Sequence, residues 1–218
     1  MKLIILEGGD RLGKSTLIEG ICKHLNYDNV TIRHVGKPPK GLSPKEVLWY
    51  QFKAFDKEAQ IFHKLNSIND SLHTMYYDET VIWNRSHLGE YVYSQMFRGG
   101  DPQELKNKLL FFEEHNFRFF SGQIYLITLT AEPEFFHSKE DGHSFSQKLE
   151  DKTKELELFK EAHDFSIIKN KLLIKVDHII ELPIGTEILN KGYSTWPIKV
   201  NQFRPKQEIL NEVLNFIK

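Results

Sequence analysis

Five short apolar runs divide the chain, and helical patterns fill the intervals between them. Leu3-Ile4-Ile5-Leu6 and Thr80-Val81-Ile82-Trp83 suit buried strands, and Val30-Thr31-Ile32-Arg33-His34-Val35, Gln123-Ile124-Tyr125-Leu126-Ile127-Thr128-Leu129 and Leu172-Leu173-Ile174-Lys175-Val176 read as strands. After the first run, Leu17, Ile21 and Leu25 recur at helical spacing over Lys14–Leu25. A longer pattern from about Asp56 to Met75 carries an apolar stripe of Ile61, Leu65, Ile68 and Leu72, with Phe62, Asn66, Asn69 and Asp70 beside it. Further helices are predicted over His87–Phe97, from Asp101 to about Phe117, from Gln147 to about His163, and over Pro205–Ile217. Strands that alternate with helices predict an α/β fold, a five-stranded parallel sheet with helices on both faces.

The punctuation is chemical. Ser43-Pro44-Lys45-Glu46 reads as a helix start, with Ser as cap, Pro in the first turn and Glu three residues after Ser. Asp101-Pro102 repeats the cap-then-proline signal. The aromatic run Val47–Phe52 that follows the first of these is read as core packing in preference to base stacking. Gly36–Gly41 is a loop rich in Gly and Pro. Thr130 to Ser146 is polar and reads as a mobile lid, not an element; residues 177–197 read as an insertion of no clear type. Ile198-Lys199-Val200 is expected to be an extra edge strand. There are no repeats, and residues 1–218 read as one domain.

The first strand leads straight into Gly8-Gly9-Asp10-Arg11-Leu12-Gly13-Lys14-Ser15-Thr16, which fits G-x-x-x-x-G-K-[ST] at every fixed position. Strand, glycine loop and helix are the context in which this pattern cradles phosphate. Glycines let successive N–H groups point inward, and the helix N-terminus adds positive potential. Lys14 supplies a point charge to the terminal phosphates of ATP, and the Ser15 hydroxyl is placed to hold Mg²⁺.

Composition narrows the partners. A formal net charge of −1 gives no broad basic surface, which disfavours nucleic acid. No apolar stretch has membrane-spanning length, and a cytoplasmic location is expected. The lone Cys22 falls in a helical pattern and is read as packed. Only six of the 29 basic residues are Arg: Arg11, Arg33, Arg85, Arg98, Arg118 and Arg204. Where Lys is the default cation, each Arg is a candidate fork for phosphate or carboxylate; Arg118 and Arg204 suit surface roles equally well. The ten histidines show no metal-ligand spacing; His137 and His143 sit in the lid stretch and read as solvated.

With Glu7-Gly8-Gly9-Asp10-Arg11-Leu12-Gly13-Lys14-Ser15-Thr16 and Asn84-Arg85-Ser86 both in view, the chain resembles the thymidylate kinase branch of the nucleoside monophosphate kinases, and in style its bacteriophage members. The resemblance implies a P-loop kinase fold with a lid, ATP as phosphoryl donor, Mg²⁺, small-molecule nucleotide substrates and a homodimer. Arg85 matches the arginine of that branch's D-R-Y signature, and Tyr93 the tyrosine of its A-Y-Q. Members with Arg in the phosphate loop lack lid arginines. Here Arg11 is in the loop and none falls in the lid, which makes Arg11 the cation for the moving phosphoryl group, with Lys139 or Lys148 as the alternative.

By the same resemblance Arg85 would clamp the acceptor phosphate, helped by Arg33 or Arg98, while Tyr93, Phe62 and Asn66 would line the sugar and base pocket. The chain departs from the branch at Asn84, where the branch has Asp near the metal. Asp10 would then take more of the metal-side duty. Ser86 and Ser94 replace further signature residues, and Asn66 stands for a base-reading Arg, which opens the choice of base. The implied reaction is transfer of the γ-phosphate of ATP to the 5′-phosphate of a nucleoside monophosphate of the dTMP kind. A deoxynucleoside kinase is the second enzyme reading, but such enzymes carry an acidic base near the end of the second strand. Arg33-His34-Val35-Gly36 has none. A nucleotide-binding protein without catalysis is the reading of another class, and a polynucleotide end kinase is disfavoured by the charge balance.

Overall fold

The structure is a computed structural model, and it describes residues 1–35, 38–71, 80–120, 123–142, 144, 146–182 and 198–218. Five parallel strands form the central sheet in the order β2-β3-β1-β4-β5: β1 (Lys2–Glu7), β2 (Val30–Arg33), β3 (Thr80–Asn84), β4 (Ile124–Thr130) and β5 (Asn170–Lys175). In β1 the side chains alternate between two cores, as the two-residue period of a strand requires. Leu3 and Ile5 join Val81, Trp83 and Leu126 on one face; Ile4 and Leu6 join Ile82, Ile127 and Leu129 on the other. No face of β1 meets water, which is why its sequence is an unbroken apolar run.

Helices α1 (Lys14–Leu25) and, at the far end of the chain, α7 (Lys206–Phe216) cover the second face, where Leu17, Ile21 and Cys22 meet Ile209, Val213 and Leu214. Cys22 is fully buried, as expected, and burial pushes its thiol pKa up. The first face is covered by α2 (Pro44–Ser71), α3 (His87–Phe97), α4 (Pro102–Phe117) and α6 (Leu149–Phe165). The helix start at Ser43 and the helical pattern from Asp56 belong to one helix, α2. Its start is a reciprocal capping box: the Ser43 N–H donates to the Glu46 carboxylate at 2.7 Å, and Glu46 N–H donates back to the Ser43 hydroxyl at 3.4 Å. Leu65, Ile68, Asn69 and Asp70 side chains, and all of Leu72 to Met75, lie outside the described residues, as do Gly36, Lys37, His143 and residues 183–197.

Two expectations are corrected. The stretch from Thr130 to Ser146 is not free of regular structure. It holds α5 (Pro133–Ser138), started by Pro133 and tied down by the buried Phe135 and Phe136. And Ile198-Lys199-Val200 does not extend the main sheet. It belongs to β7 (Ile198–Phe203), which pairs antiparallel with β6 (Asp177–Leu182) in a separate ribbon. The ribbon leaves the sheet at the buried Asp177, whose carboxylate accepts hydrogen bonds from the Glu132 N–H at 3.1 Å and the Asn201 amide at 2.6 Å.

One buried polar knot joins the helices of the first face. Glu113 and His87 are both fully buried and 2.9 Å apart, and the Glu113 carboxylate also accepts from the Ser166 hydroxyl (2.8 Å) and the Ile167 N–H (2.8 Å). Removing that carboxylate leaves the buried His87 and Ser166 and the half-buried Ile167 N–H without it, whereas its exposed neighbour Glu114 makes a surface pair with Arg118. Glu113→Ala is expected to destabilise the protein by about 3–5 kcal/mol in urea denaturation. Glu114→Ala is expected to cost under about 1 kcal/mol. Equal losses would show that the knot carries no special weight.

Candidate active site

The loop between β1 and α1 takes its shape from contacts that admit no side chain. Gly8 has φ +127, and a Cβ there would stand 2.5 Å from the Leu129 carbonyl oxygen. A Cβ on Gly9 would run into the Phe136 ring, which α5 lays against the loop. Gly13 turns the chain into α1 at φ +90. Arg11 also lies in the left-handed region at φ 70, where a side chain costs about 1–2 kcal/mol. Leu12 is buried in the second core and roots the loop.

The loop's charges are already engaged. The Lys14 ammonium is almost fully buried and donates to the carbonyls of Gly8 (2.7 Å) and Gly9 (2.6 Å). Burial first, and the Arg85 charge second, hold its pKa down at about 8. Arg85, at the carboxyl end of β3, has φ 73; its N–H donates to the Leu6 carbonyl at 3.0 Å, and its guanidinium donates to Asp10. Arg11 pairs with Asp141, beyond α5. Asp10, Arg11, Gly13, Lys14, Ser15, Thr16 and Arg85 line one cavity of about 500 Å³. His34, Asn84 and Ser144 complete its wall. The strand ends meet here as the sheet order requires, with β1 between β3 and β4.

Two acceptor atoms in this region have no partner among the described residues. Glu7 is fully buried; one carboxylate oxygen accepts from the Ser86 N–H and hydroxyl, both at 2.6 Å, and the other is unpaired. Burial raises its pKa although Ser86 and Lys14 oppose the shift. The Asn84 side-chain oxygen is likewise buried and unpaired. With the Ser15 hydroxyl and the Asp10 carboxylate, the Asn84 oxygen makes a set of hard oxygens suited to Mg²⁺ and its waters. Among the described residues no group of three or more His, Cys, Asp or Glu could hold a metal by itself, so any ion here would lean on water and on phosphate.

The other residues singled out in the sequence lie elsewhere. Phe62 is in the first core, 1% exposed, its ring edge-on to Phe120, and Asn66 is 3% exposed one turn on; neither borders the cavity. A ring enclosed in this way offers no open face for a base. Arg33 pairs with Glu58 of α2 at 3.6 Å. Arg98 donates to Glu90 at 2.5 Å and to Ser94 at 2.7 Å. Both have carboxylate partners within the protein and stand off the cavity wall. Tyr93 is closer: its hydroxyl donates to Glu155 at 2.9 Å, and a Cβ on Gly9 would lie 3.1 Å from that same carboxylate.

Sequence reading missed the residues that hold the turn after α5. Neither Lys139 nor Lys148 borders the cavity; Lys139 lies over the Phe135 and Phe203 rings. The cation that counts is Lys152, fully buried on α6, 2.6 Å from Glu140 and 4.1 Å from the Phe136 ring centroid. Glu140 also accepts from the N–H groups of Asp141 (3.1 Å), Gly142 (2.9 Å) and Ser144 (3.3 Å). Burial would raise the Glu140 pKa, but Lys152 and Ser144 outweigh it and hold it at about 2. The turn that carries Asp141 to Arg11 and Ser144 to the cavity is therefore set by one carboxylate. The signal lay in α6, where Lys152, Glu155, Leu156 and Phe159 share one helical face.

A second cavity, of about 690 Å³, adjoins the loop through Gly13 and Thr16. It runs between α1 and α7 and is closed by Val176, Phe203, Arg204 and Leu210.

No protein-family model matches the chain, and no curated protein sequence does. Solved structures do. The YorR protein of Bacillus subtilis, in complex with phosphorylated GDP, superposes with a TM-score of 0.57 at 17% identity, over 99% of this chain and 95% of that one. Thymidylate kinase from Ehrlichia chaffeensis gives a TM-score of 0.57 at 13% identity, over 100% and 98%. At such identities the likeness is one of fold. A five-stranded parallel sheet in the order 2-3-1-4-5, flanked by helices, gives this chain the fold of the P-loop kinases.

Proposed function

We propose that the chain is a nucleotide kinase that transfers the γ-phosphoryl group of ATP to the 5′-phosphate of a deoxynucleoside monophosphate. The observation that carries the reading is the convergence of Lys14, Ser15, Arg11, Asp10 and Arg85 on one cavity, from two strand ends and a loop. Phosphoryl transfer asks little covalent chemistry of a protein; it asks for positioned cations and in-line placement. Lys14 leaves the Gly8 and Gly9 carbonyls to meet the donor's terminal phosphates. The loop N–H groups from residues 9 to 15 cradle the same oxygens. Arg11, freed from Asp141, stabilises the charge on the moving group. Arg85 clamps the acceptor phosphate from the end of β3. Mg²⁺ would be held by Ser15 with Asp10 on its water shell, and Asn84 accepts from a bound water; when present the ion neutralises donor charge. The cavity between α1 and α7 takes the donor base.

Small nucleotides are the proposed partners, in keeping with a near-neutral chain. No described helix is long and apolar enough to cross a membrane. Thymidylate and guanylate head the acceptor panel, the first from the sequence resemblance and the second because the YorR structure holds phosphorylated GDP.

A coupled ADP-release assay across nucleoside monophosphates and free nucleosides tests the reading. Turnover is expected with a deoxynucleoside monophosphate, and Arg85→Ala is expected to lower kcat/KM at least about 100-fold. Turnover with free nucleosides alone would make the chain a nucleoside kinase, and ATP binding without any turnover would make it a binding protein.

Lys14 gives a second check. Its pKa of about 8 in the free protein must rise when phosphates replace carbonyls around it, so binding takes up protons between the two values. Calorimetry in buffers of different ionisation enthalpy is expected to show ATP binding with uptake of a fraction of a proton at about pH 8.5, vanishing below about pH 7. Proton-neutral binding at both pH values would contradict the placement of Lys14.

A further inference from the structure

His34 follows the last residue of β2, whose Arg33 pairs in register with Trp83 of β3. That places His34 beside Asn84, and its Nδ1 lies 2.8 Å from the Asn84 carbonyl oxygen. A carbonyl only accepts, so Nδ1 carries the hydrogen and the ring is held by the backbone next to Arg85. Nε2 then has no partner among the described residues, and the ring lines the same cavity as Asp10, Arg11, Lys14 and Arg85. Arg33 goes the other way, to Glu58 on α2, as alternation along an extended chain requires.

We propose that His34 is a ligand of the acceptor's phosphate and selects acceptors that carry one, an inference that rests on the kinase reading above. Arg85 shares its charge with Asp10, so a phosphate of two negative charges finds that arginine half-neutralised. His34 faces it from the neighbouring strand end and supplies the second donor through Nε2. A carboxylate at this strand end would accept a proton from a substrate hydroxyl and repel a phosphate; an imidazole does the reverse when it donates. Arg11 and Lys14, the other cations of the described wall, serve the donor's phosphates in the kinase reading, and Ser15, Thr16 and Ser144 are neutral, so His34 is left to share the acceptor's charge with Arg85.

The test is steady-state kinetics of three variants, His34→Gln, His34→Ala and His34→Glu, with the best monophosphate acceptor and with its free nucleoside. His34 is exposed, so all three are expected to melt within a few degrees of wild type. The acceptor KM is expected to rise about threefold for Gln, which keeps a donor, at least tenfold for Ala, and more for Glu. The kcat is expected to stay within about threefold and the KM for ATP to stay unchanged. A Glu variant no worse than Ala, or a loss confined to kcat, would overturn the proposal, because neither follows from lost attraction to a phosphate. Wild-type turnover of free nucleosides only would overturn the kinase reading and this proposal together. Monophosphate turnover with an unchanged KM in all three variants would overturn this proposal alone.

Discussion

Lys14, Arg11 and Arg85 gather around one loop, and each is held by a group of the same chain: two loop carbonyls, Asp141 and Asp10 in turn. Like charges packed this closely repel, and one of them, Lys14, is almost fully buried. The fold tolerates the cluster because each cation has an internal acceptor. On the proposed reading, a polyphosphate that enters would exchange one set of partners for another, and its binding energy would be the difference between the two sets.

The rest of the molecule keeps that exchange local. Leu129 and Phe136 press on Gly8 and Gly9, so the loop backbone has one shape. Glu7, buried behind the loop, ties it to Ser86 at the start of α3 and so fixes Arg85 against Asp10. On the other side Glu140 and Lys152 set the turn that carries Asp141, while Glu155 on the same helix holds Tyr93. On the proposed reading the pair that must break, Arg11 with Asp141, is partly exposed, whereas the pairs that must hold, Glu7 with Ser86 and Lys152 with Glu140, are buried or nearly so. Exposed ion pairs contribute about 0–1 kcal/mol, buried ones several when one partner is lost.

Much of this was legible in the sequence where the signal was local. The three central strands, β1, β3 and β4, are buried apolar runs, and the caps at Ser43 and Asp101 are formed by the predicted side chains. Residues of the Gly8–Ser15 motif and Arg85 line one cavity. What the sequence hid was long-range. Asp177–Leu182 finds its partner strand beyond Leu182 by some fifteen residues, and no local period announces it. Phe62 and its neighbour Ile61 are both apolar, so spacing alone could not say which is enclosed; the structure encloses Phe62 against Phe120. Lys152 sits in a helix rich in Lys and Glu, and only Glu140, just beyond α5, makes its burial sensible. His34 was noted for the carboxylate it is not; its place on the cavity wall depends on β2 and β3 pairing across about fifty residues.

The affinity of ATP–Mg²⁺ for Asp141→Asn tests the exchange of partners most directly. This substitution removes the charge that holds Arg11 and leaves the Glu140 turn intact, because Glu140 binds the backbone of residue 141 and not its side chain. ATP is expected to bind about two- to fivefold tighter than to the wild type, as the loss of an exposed competing pair implies. Unchanged or weaker binding would mean that Asp141 is no stand-in for phosphate, and that the loop's cations are not held in reserve for it.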